Sequence, residues 1–376
     1  MIEVSVKNNP EGKPAISVLI PVYNSERTLR KCLDSVIAQK NIKYEVIIVD
    51  DGSQDLSMDV INDYLSFDNF TCIKHKNNRG LVQARISAIK ESIGEFIVFL
   101  DSDDELLSPT SLSTIYSFAQ SNNADIFHFY SEIYDSLSNT KTNYNWSRIY
   151  NGEISANFAL EKMIIDRSID GQVWGKLYRA DVMKKSVIDI LLPDGLSKSE
   201  DLFFNSIFLS NAKSYVGIKY TFYRYKFGFG MTATNREIFS LHDWRNKISG
   251  FIILKHLSDY FFSLGKINLS CVIEDSWFKS ELENAMQHLH WVDNKILESA
   301  LDDLYLNASR KPEFLYKFLS NEFGKLKRDK NFVTPNQSNF IKFKTFLVRY
   351  GFFYTFRRSS KYIFLRIYLK LKYFFS

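Results

Sequence analysis

The apolar run FIVFL, residues 96–100, ends abruptly in Asp101, Ser102, Asp103, Asp104 and Glu105. Four carboxylates in five positions repel one another, so the segment calls for a cation. Asp101 and Asp103, separated by one small residue, can face the same side of a tight turn and jointly satisfy a divalent ion, directly or through water. Mn2+ and Mg2+ both favour oxygen ligands and keep positions open for water and a substrate phosphate. The acids ask for a cation, and the cation invites a diphosphate. Three more polar groups follow apolar runs in the same way: Pro21, Tyr23, Asn24 and Glu26; Asp50, Asp51, Gly52 and Ser53; Asn78, Gly80 and Arg85. Tyr23 can offer a face for stacking, Asp51 can accept a base N–H, and Arg85 can pair with a phosphate through its forked guanidinium.

The elements that position these groups are legible from periodicity. Residues 16–22, 44–50, 71–75 and 95–101 are short and rich in β-branched or aromatic residues, as buried parallel strands are. Residues 26–39, 54–65 and 80–92 between them space their apolar positions as amphipathic helices do, which predicts βαβ units and an α/β fold with a mostly parallel sheet. Ligands of such sheets bind beyond the carboxyl ends of the strands, and all four polar groups fall there. Each group alone has a local explanation. Asn24 or Ser25 suits a helix cap, DDGSQD a turn with Ser53 as cap, NNRG a turn with Arg85 on a solvated helix face, and DSDD a charged loop before a helix begun by Pro109. Four independent loops would all have to mimic function together, which weighs against those readings.

Further along, residues 125–150 read as strands with a polar connection, 154–166 and 200–211 as helices, and 214–227 as a strand. From about 235 to 330 the pattern is mostly helical. The 376 residues, 45% hydrophobic and 24% charged, suit one large domain and a smaller one with a sizeable core. Cys32, Cys72 and Cys271 lie far apart without metal-ligand spacing and suit free thiols in a reducing compartment. The stretch MIEVSVKNNPEGK lacks the apolar core of a signal peptide, and no window holds 18 consecutive apolar residues, so neither secretion nor a spanning helix is expected. The net charge of +5 is local in origin: residues 341–376 carry nine Lys or Arg and no acid, which leaves the preceding chain at −4. An acidic body with a basic end argues against general nucleic-acid binding and for one localised anionic surface.

With these residues assembled, the chain resembles the family 2 glycosyltransferases, inverting enzymes with a nucleotide-sugar-binding GT-A fold. SVLIPVYNSERTLRKCLDSVIAQ is similar to the family's opening strand, nucleotide loop and helix; EVIIVDDGSQD to its VDDGSxD segment; NNRGLVQAR to its NxGxxxAR segment; and GEFIVFLDSDDEL to its metal-binding DxD segment. The resemblance covers roughly residues 14–232. It implies that Pro21, Tyr23, Asn24, Glu26 and Asp51 surround the base of the donor. Asn78 and Arg85 would hold the nucleotide loop or its phosphates, Asp101 with Ser102 beside it the ribose, and Asp103 with Asp101 the Mn2+ or Mg2+ that bridges the diphosphate. LSKSEDLFFNSIFL, residues 196–209, is similar to the family's ED segment, which implies Asp201 as catalytic base and Glu200 as its understudy or an acceptor ligand. Ser199 also reads as a helix N-cap, and the helix dipole would keep Asp201 ionised. VWGKLYR (173–179) and YRYKFGFGMT (223–232) resemble two weaker segments on the acceptor side. There Trp174 stacks on a sugar or packs in the core, and Lys176 or Arg224 meets a phosphate.

The expected organisation is an N-terminal extension (1–13), a GT-A domain (14–232), a helical domain (233–340) and a basic, aromatic tail (341–376). Nine cations and thirteen aromatics in that tail suit the headgroup boundary of an anionic membrane, which predicts a cytoplasmic enzyme attached to the inner leaflet; packing on the helical domain or on a second subunit is the alternative. The expected partners are a nucleotide sugar and a glycan or lipid-linked acceptor, and the helical region is a candidate homodimer surface. Two rivals remain. A dehydrogenase needs G-x-G-x-x-G after the first strand, where PVYNSE has no glycine. A non-catalytic sugar-nucleotide or glycan-binding subunit would keep the fold and lose turnover.

Overall fold

The computed structural model describes residues 3–5, 12–135, 140–141, 147–227, 238, 240–288, 292–293 and 295–308. The tail expected at 341–376 lies outside the described residues, as do 309–340 and most of the N-terminal extension.

In chain order the elements are β1 (Glu3–Ser5), β2 (Ile16–Val22), α1 (Leu29–Ile37), β3 (Tyr44–Asp50), α2 (Ser57–Tyr64), β4 (Phe70–Lys74), α3 (Leu81–Glu91), β5 (Phe96–Phe99), β6 (Glu105–Leu106), α4 (Ser111–Ser121), β7 (Ile126–Asp135) and β8 (Thr140–Lys141). They continue with β9 (Gly152–Ser155), α5 (Ala156–Ile164), β10 (Lys176–Arg179), α6 (Ala180–Val187), α7 (Glu200–Asn211) and β11 (Ser214–Phe227), then α8 (Leu241–Ile248), α9 (Gly250–Ser263), α10 (Ile267–Val272), a π-helical turn at Ile273–Trp277, α11 (Phe278–His288) and α12 (Leu297–Ala308).

The strands form one sheet in the order β1-β4-β3-β2-β5-β10-β7-β11-β6, with β8 on β7 and β9 on β11. The run β4-β3-β2-β5 is parallel throughout, as the βαβ pattern predicts. β2 is buried along its whole length, which explains why ISVLIPV shows no alternation: both faces of this central strand are covered by helices. α1 buries Leu29, Cys32, Leu33 and Val36, a single apolar stripe. α3 and α7 differ, for both are buried nearly all round, including Arg85 in the first and Glu200 and Asn205 in the second. Beyond β5 the sheet becomes mixed, because β10 runs antiparallel between β5 and β7. β10 is the element that the reading of VWGKLYR as an acceptor segment left unplaced. β11 pairs parallel to β7, breaks register at Ile218–Thr221 and Thr221–Tyr223, and then reaches β6 in antiparallel fashion through Tyr223 opposite Leu106 and Arg224 opposite Glu105. Those bulges turn the strand so that its end meets the acidic segment.

By its internal contacts the chain separates into two compact units, Met1–Thr234 with His256–Ile273, and Asn235–Lys255 with Glu274–Ser376. In the first, α10 and the second half of α9 join the sheet-bearing part: Lys266 Nζ donates to Asn157 Oδ1 at 2.7 Å, and Asn211 Nδ2 to the Tyr260 hydroxyl at 3.3 Å. In the second, the Phe251 and Phe278 rings lie 4.9 Å apart and Arg245 pairs with Asp303 at 2.8 Å. Among the described residues, no helix is long and apolar enough to cross a membrane.

Candidate active site

The loops after β2 and β3 interlock. Ser53 Oγ accepts from the Asn24 N–H at 3.0 Å, and Asn24 Oδ1 accepts from the Gln54 N–H at 2.8 Å. Asn24 holds a left-handed backbone with φ 49°, which Asn tolerates better than most residues. Asp55 Oδ2 takes the Glu26 N–H and Glu26 Oε2 takes the Leu56 N–H, each at 3.0 Å. Asn24 and Ser53 therefore fasten one loop to the other and do not cap helices. Tyr23 stands at the edge of this clasp with 43% of its surface exposed, a free face for a ring.

Asp51 is buried and fully engaged. Its Oδ1 meets His75 Nδ1 at 2.6 Å and the Arg79 N–H at 2.9 Å, and its Oδ2 the Gly80 N–H at 2.8 Å. The carboxylate thus shapes the NNRG loop. Gly80, at φ 88°, is required there, because a Cβ would stand 2.7 Å from the Leu196 backbone. This close approach brings the 194–197 segment onto the start of α3, where Gly195 donates to the Arg79 carbonyl at 2.7 Å and Val82 to the Leu196 carbonyl at 3.1 Å. The residues leading into α7 are by this route fixed beside the loop after β4.

Arg85 is 1% exposed, and its guanidinium faces neither solvent nor the open rim. Nη2 donates to Asp101 Oδ1 at 3.0 Å; Nη1 donates to Asp201 Oδ1 at 2.6 Å and Glu200 Oε1 at 3.2 Å. The phosphate role expected of Arg85 is accordingly replaced by that of a hub for three carboxylates. Burial turns a free guanidinium into a liability unless acids surround it, and α3 is buried on the side where a solvated face was the local alternative. The hub joins Asp101 to Asp201 across 100 positions of sequence.

Asp101, Ser102 and Asp103 sit at the end of β5, with Ser102 Oγ 2.8 Å from Ser25 Oγ. Burial, then the neighbouring Asp101, pushes the Asp103 carboxyl up to about 6. Asp104 turns inward, accepting from the Tyr223 hydroxyl at 2.7 Å and the Lys226 N–H at 2.8 Å, and burial holds it well above the usual carboxylate range. The Tyr223 hydroxyl also accepts from the Asp101 N–H at 3.2 Å. Glu105 pairs with Lys226 and with Arg224, the latter at 3.4 Å. Of the four acids, Asp104 and Glu105 are thus committed to the end of β11. Asp101 and Asp103 remain as hard oxygen donors whose mutual repulsion a divalent ion would relieve, so the donor set fits Mn2+ or Mg2+ with water and phosphate completing the shell. Among the described residues no group of three or more His, Cys, Asp or Glu is arranged to hold a metal.

Removing the Asp103 charge tests this balance. Ionised Asp103 is unfavourable in the fold, so its cost is fully present above pH 6, shrinks as pH falls, and is gone below the ordinary value near 4. Metal-free Asp103→Asn should be more stable than the parent by on the order of 1–2 kcal/mol at pH 7, with the gain vanishing near pH 4 in urea titrations.

Asp201 and Glu200 open α7. Ser199 stands at the N-cap position but in a left-handed conformation, φ 62°, and makes no capping hydrogen bond, contrary to the expectation from sequence. The dipole does not win at Asp201 either. Burial raises its carboxyl above the usual range even though Arg85 opposes the rise. Glu200 is raised by burial and by Asp201. Side-chain exposures of 27% for Asp201 and 10% for Glu200 make Asp201 the one that faces outward.

The acceptor-side trio lands elsewhere than expected. Trp174 is packed against Tyr223 and Tyr225, ring centroids 5.6 and 5.1 Å away, which is the core alternative. Lys176 is buried, donates to the Gln172 carbonyl, and is lowered by burial to about 8, so it meets no phosphate from the rim. Arg224 spends its guanidinium on Glu132 at 2.8 Å and Glu105 at 3.4 Å. Sequence reasoning missed His75, Asp55, Tyr223 and Asp104 as the groups that shape the site. Tyr223 stood in the YRYKF segment, where its spacing from Tyr225 on one strand face was the available signal.

The sequence model of glycosyl transferase family 2 matches residues 17–184, which contain the interlocked loops and the acidic segment. These residues are a glycosyl transferase family 2 domain. EpsH of Bacillus subtilis, named as a glycosyltransferase, is 28% identical over 261 residues, covering 64% of this chain and 75% of that protein. The poly(ribitol-phosphate) beta-N-acetylglucosaminyltransferase TarP of Staphylococcus aureus is 31% identical over 208 residues, covering 53% of this chain and 59% of TarP. Residues 1–349 of S. aureus TarS share the fold at a TM-score of 0.54 and 18% identity, over 80% of this chain and 88% of that one. A structure of the same TarS fragment in complex with UDP-GlcNAc gives 0.52. The family 2 match thus covers residues 17–184, and the chain has a GT-A fold followed by helices.

Proposed function

We propose that this family 2 domain transfers a sugar, with inversion, from a UDP-sugar to a hydroxyl of a glycan acceptor in bacterial surface-polysaccharide synthesis. The observation that carries the reading is the hub: one guanidinium touches both Asp101 of the acidic segment and Asp201 of α7, at 3.0 and 2.6 Å. A donor diphosphate held by the first would lie beside a base supplied by the second. TarS binds UDP-GlcNAc and TarP is named for a poly(ribitol-phosphate) acceptor, which supports a UDP-sugar and a surface polymer.

In this mechanism Tyr23, with Pro21, Asn24 and Glu26 around it, receives the base, Asp51 and Asn78 set the loop beneath it, and Asp101 and Ser102 meet the ribose. Asp103 and Asp101 would hold a divalent cation, which when bound neutralises charge on the departing diphosphate. Asp201 Oδ1 is taken by Arg85, which leaves Oδ2 to accept the proton of the acceptor hydroxyl. That oxygen attacks the anomeric carbon as the nucleoside diphosphate leaves from the opposite face. A single displacement inverts configuration, so a UDP-α-sugar yields a β-glycoside. The raised affinity of Asp201 for a proton favours this role over that of a mere counter-ion. Incubating the full chain and Mn2+ with UDP-glucose, UDP-galactose, UDP-N-acetylglucosamine and UDP-N-acetylgalactosamine should release UDP from one of them, and EDTA should stop it. No release from any would overturn the donor reading.

We further propose that residues 14–232 carry the transfer, that helices α8, α11 and α12 offer a surface for self-association, and that 341–376 attach the enzyme to the inner face of the cell membrane. Flotation with vesicles containing anionic lipid should carry the full chain upward and leave a version ending at residue 340 behind. Equal partitioning of the two would refute the attachment.

A further inference from the structure

The segment between α5 and β10 has no role in the mechanism above, yet it is held with unusual care. Asn205, fully buried on the second turn of α7, donates through one nitrogen to three carbonyls: Gly171 at 2.7 Å, Gln172 at 3.1 Å and Asp201 at 3.1 Å. Asn205 Oδ1 accepts from the Tyr178 hydroxyl at 2.9 Å, and that hydroxyl also lies 3.2 Å from the Val173 carbonyl. Lys176 adds a second donor to the Gln172 carbonyl. Three side chains from α7 and β10 thus converge on three consecutive carbonyls, and one of them shares its nitrogen with the backbone of Asp201. By contrast the Gln172 side chain is unprovided for: its Oε1 is buried and has no hydrogen-bond partner among the described residues. A buried amide oxygen without a donor costs stability.

We propose that Asn205 is a positioning residue, which ties the 171–173 segment to the helix carrying Asp201 and holds it there even though the Gln172 amide oxygen is buried without a partner among the described residues. It rests on the reading of Asp201 as base. Asn205 touches no reacting atom. Its effect runs through two backbones that it holds at one distance: that of the base and that of the 171–173 segment.

Two variants of the full chain test this. Asn205→Asp keeps an acceptor for the Tyr178 hydroxyl and loses the amide donor. Amide hydrogen exchange at residues 171–174 should quicken about tenfold while the core strand β2 stays protected. Its turnover of the UDP-sugar that the parent hydrolyses should fall about 10²-fold with donor KM unchanged, because misplacement by an ångström suffices for that loss. Unaltered exchange at 171–174, or a fall in donor affinity in place of turnover, would overturn the proposal. Gln172→Met removes the unpaired oxygen and should raise the melting temperature by about 2–4 °C. A lowered melting temperature would mean that this oxygen has a partner within the protein and would likewise overturn it. If the parent hydrolyses none of the four UDP-sugars, the reading of Asp201 falls, while the exchange measurement still decides whether Asn205 fixes the segment.

Discussion

Asp201→Asn should lower turnover by about 10² to 10⁴ with the KM for the nucleotide sugar nearly unchanged, the loss that general-base catalysis commands. Asparagine keeps the shape and can still accept from Arg85 at the position where Oδ1 now lies 2.6 Å from Nη1. It cannot take a proton. The pH profile supplies an independent check. A base must be ionised, and burial raises the Asp201 carboxyl above its ordinary range. Parental turnover should therefore fall on the acid side at a higher pH than a solvent-exposed aspartate would dictate, and the residual rate of Asp201→Asn should lack that limb. Undiminished turnover in the variant would remove Asp201 from the reaction and shift attention to Glu200, its inward neighbour.

Arg85→Met is the variant expected to cost the most stability. Methionine fills much of the same volume but leaves Asp101, Glu200 and Asp201 facing one another without a cation, and removing one partner of a buried ionic group typically costs about 3–5 kcal/mol. Urea titration should show that loss at pH 7. It should shrink at lower pH, since protonation relieves the repulsion among carboxyls whose proton affinity burial already raises at Glu200 and Asp201. Arg85→Lys restores one positive charge without the fork that reaches Asp101 and Asp201 at once, so it should recover part of the stability and little of the turnover. Equal stability of Arg85→Met and the parent would mean that the three acids are accommodated in some other way.

Both predictions depend on the contacts of Arg85 with Glu200 and Asp201, more than 100 positions away, and there the reach of the sequence ends. Strand position and loop chemistry were legible because they are local. A strand covered on both faces must be apolar throughout, so ISVLIPV, YEVIIVD and the run before Asp101 announced themselves, and a parallel sheet then had to gather their polar ends on one rim. The family's motifs were readable for the same reason, each being confined to one loop. Orientation was another matter. On α1 a single apolar stripe tells which side faces inward, but α3 and α7 are buried nearly all round, so periodicity does not say whether Arg85 looks out to a phosphate or in to carboxylates. The same ambiguity hid the inward turn of Asp104 to Tyr223 and the burial of Lys176, which became visible only once β10 was inserted antiparallel between β5 and β7. Which residues lie on the rim was written in the chain. Which of them face one another was decided by packing, because burying a charge is tolerable only where the fold brings its partner.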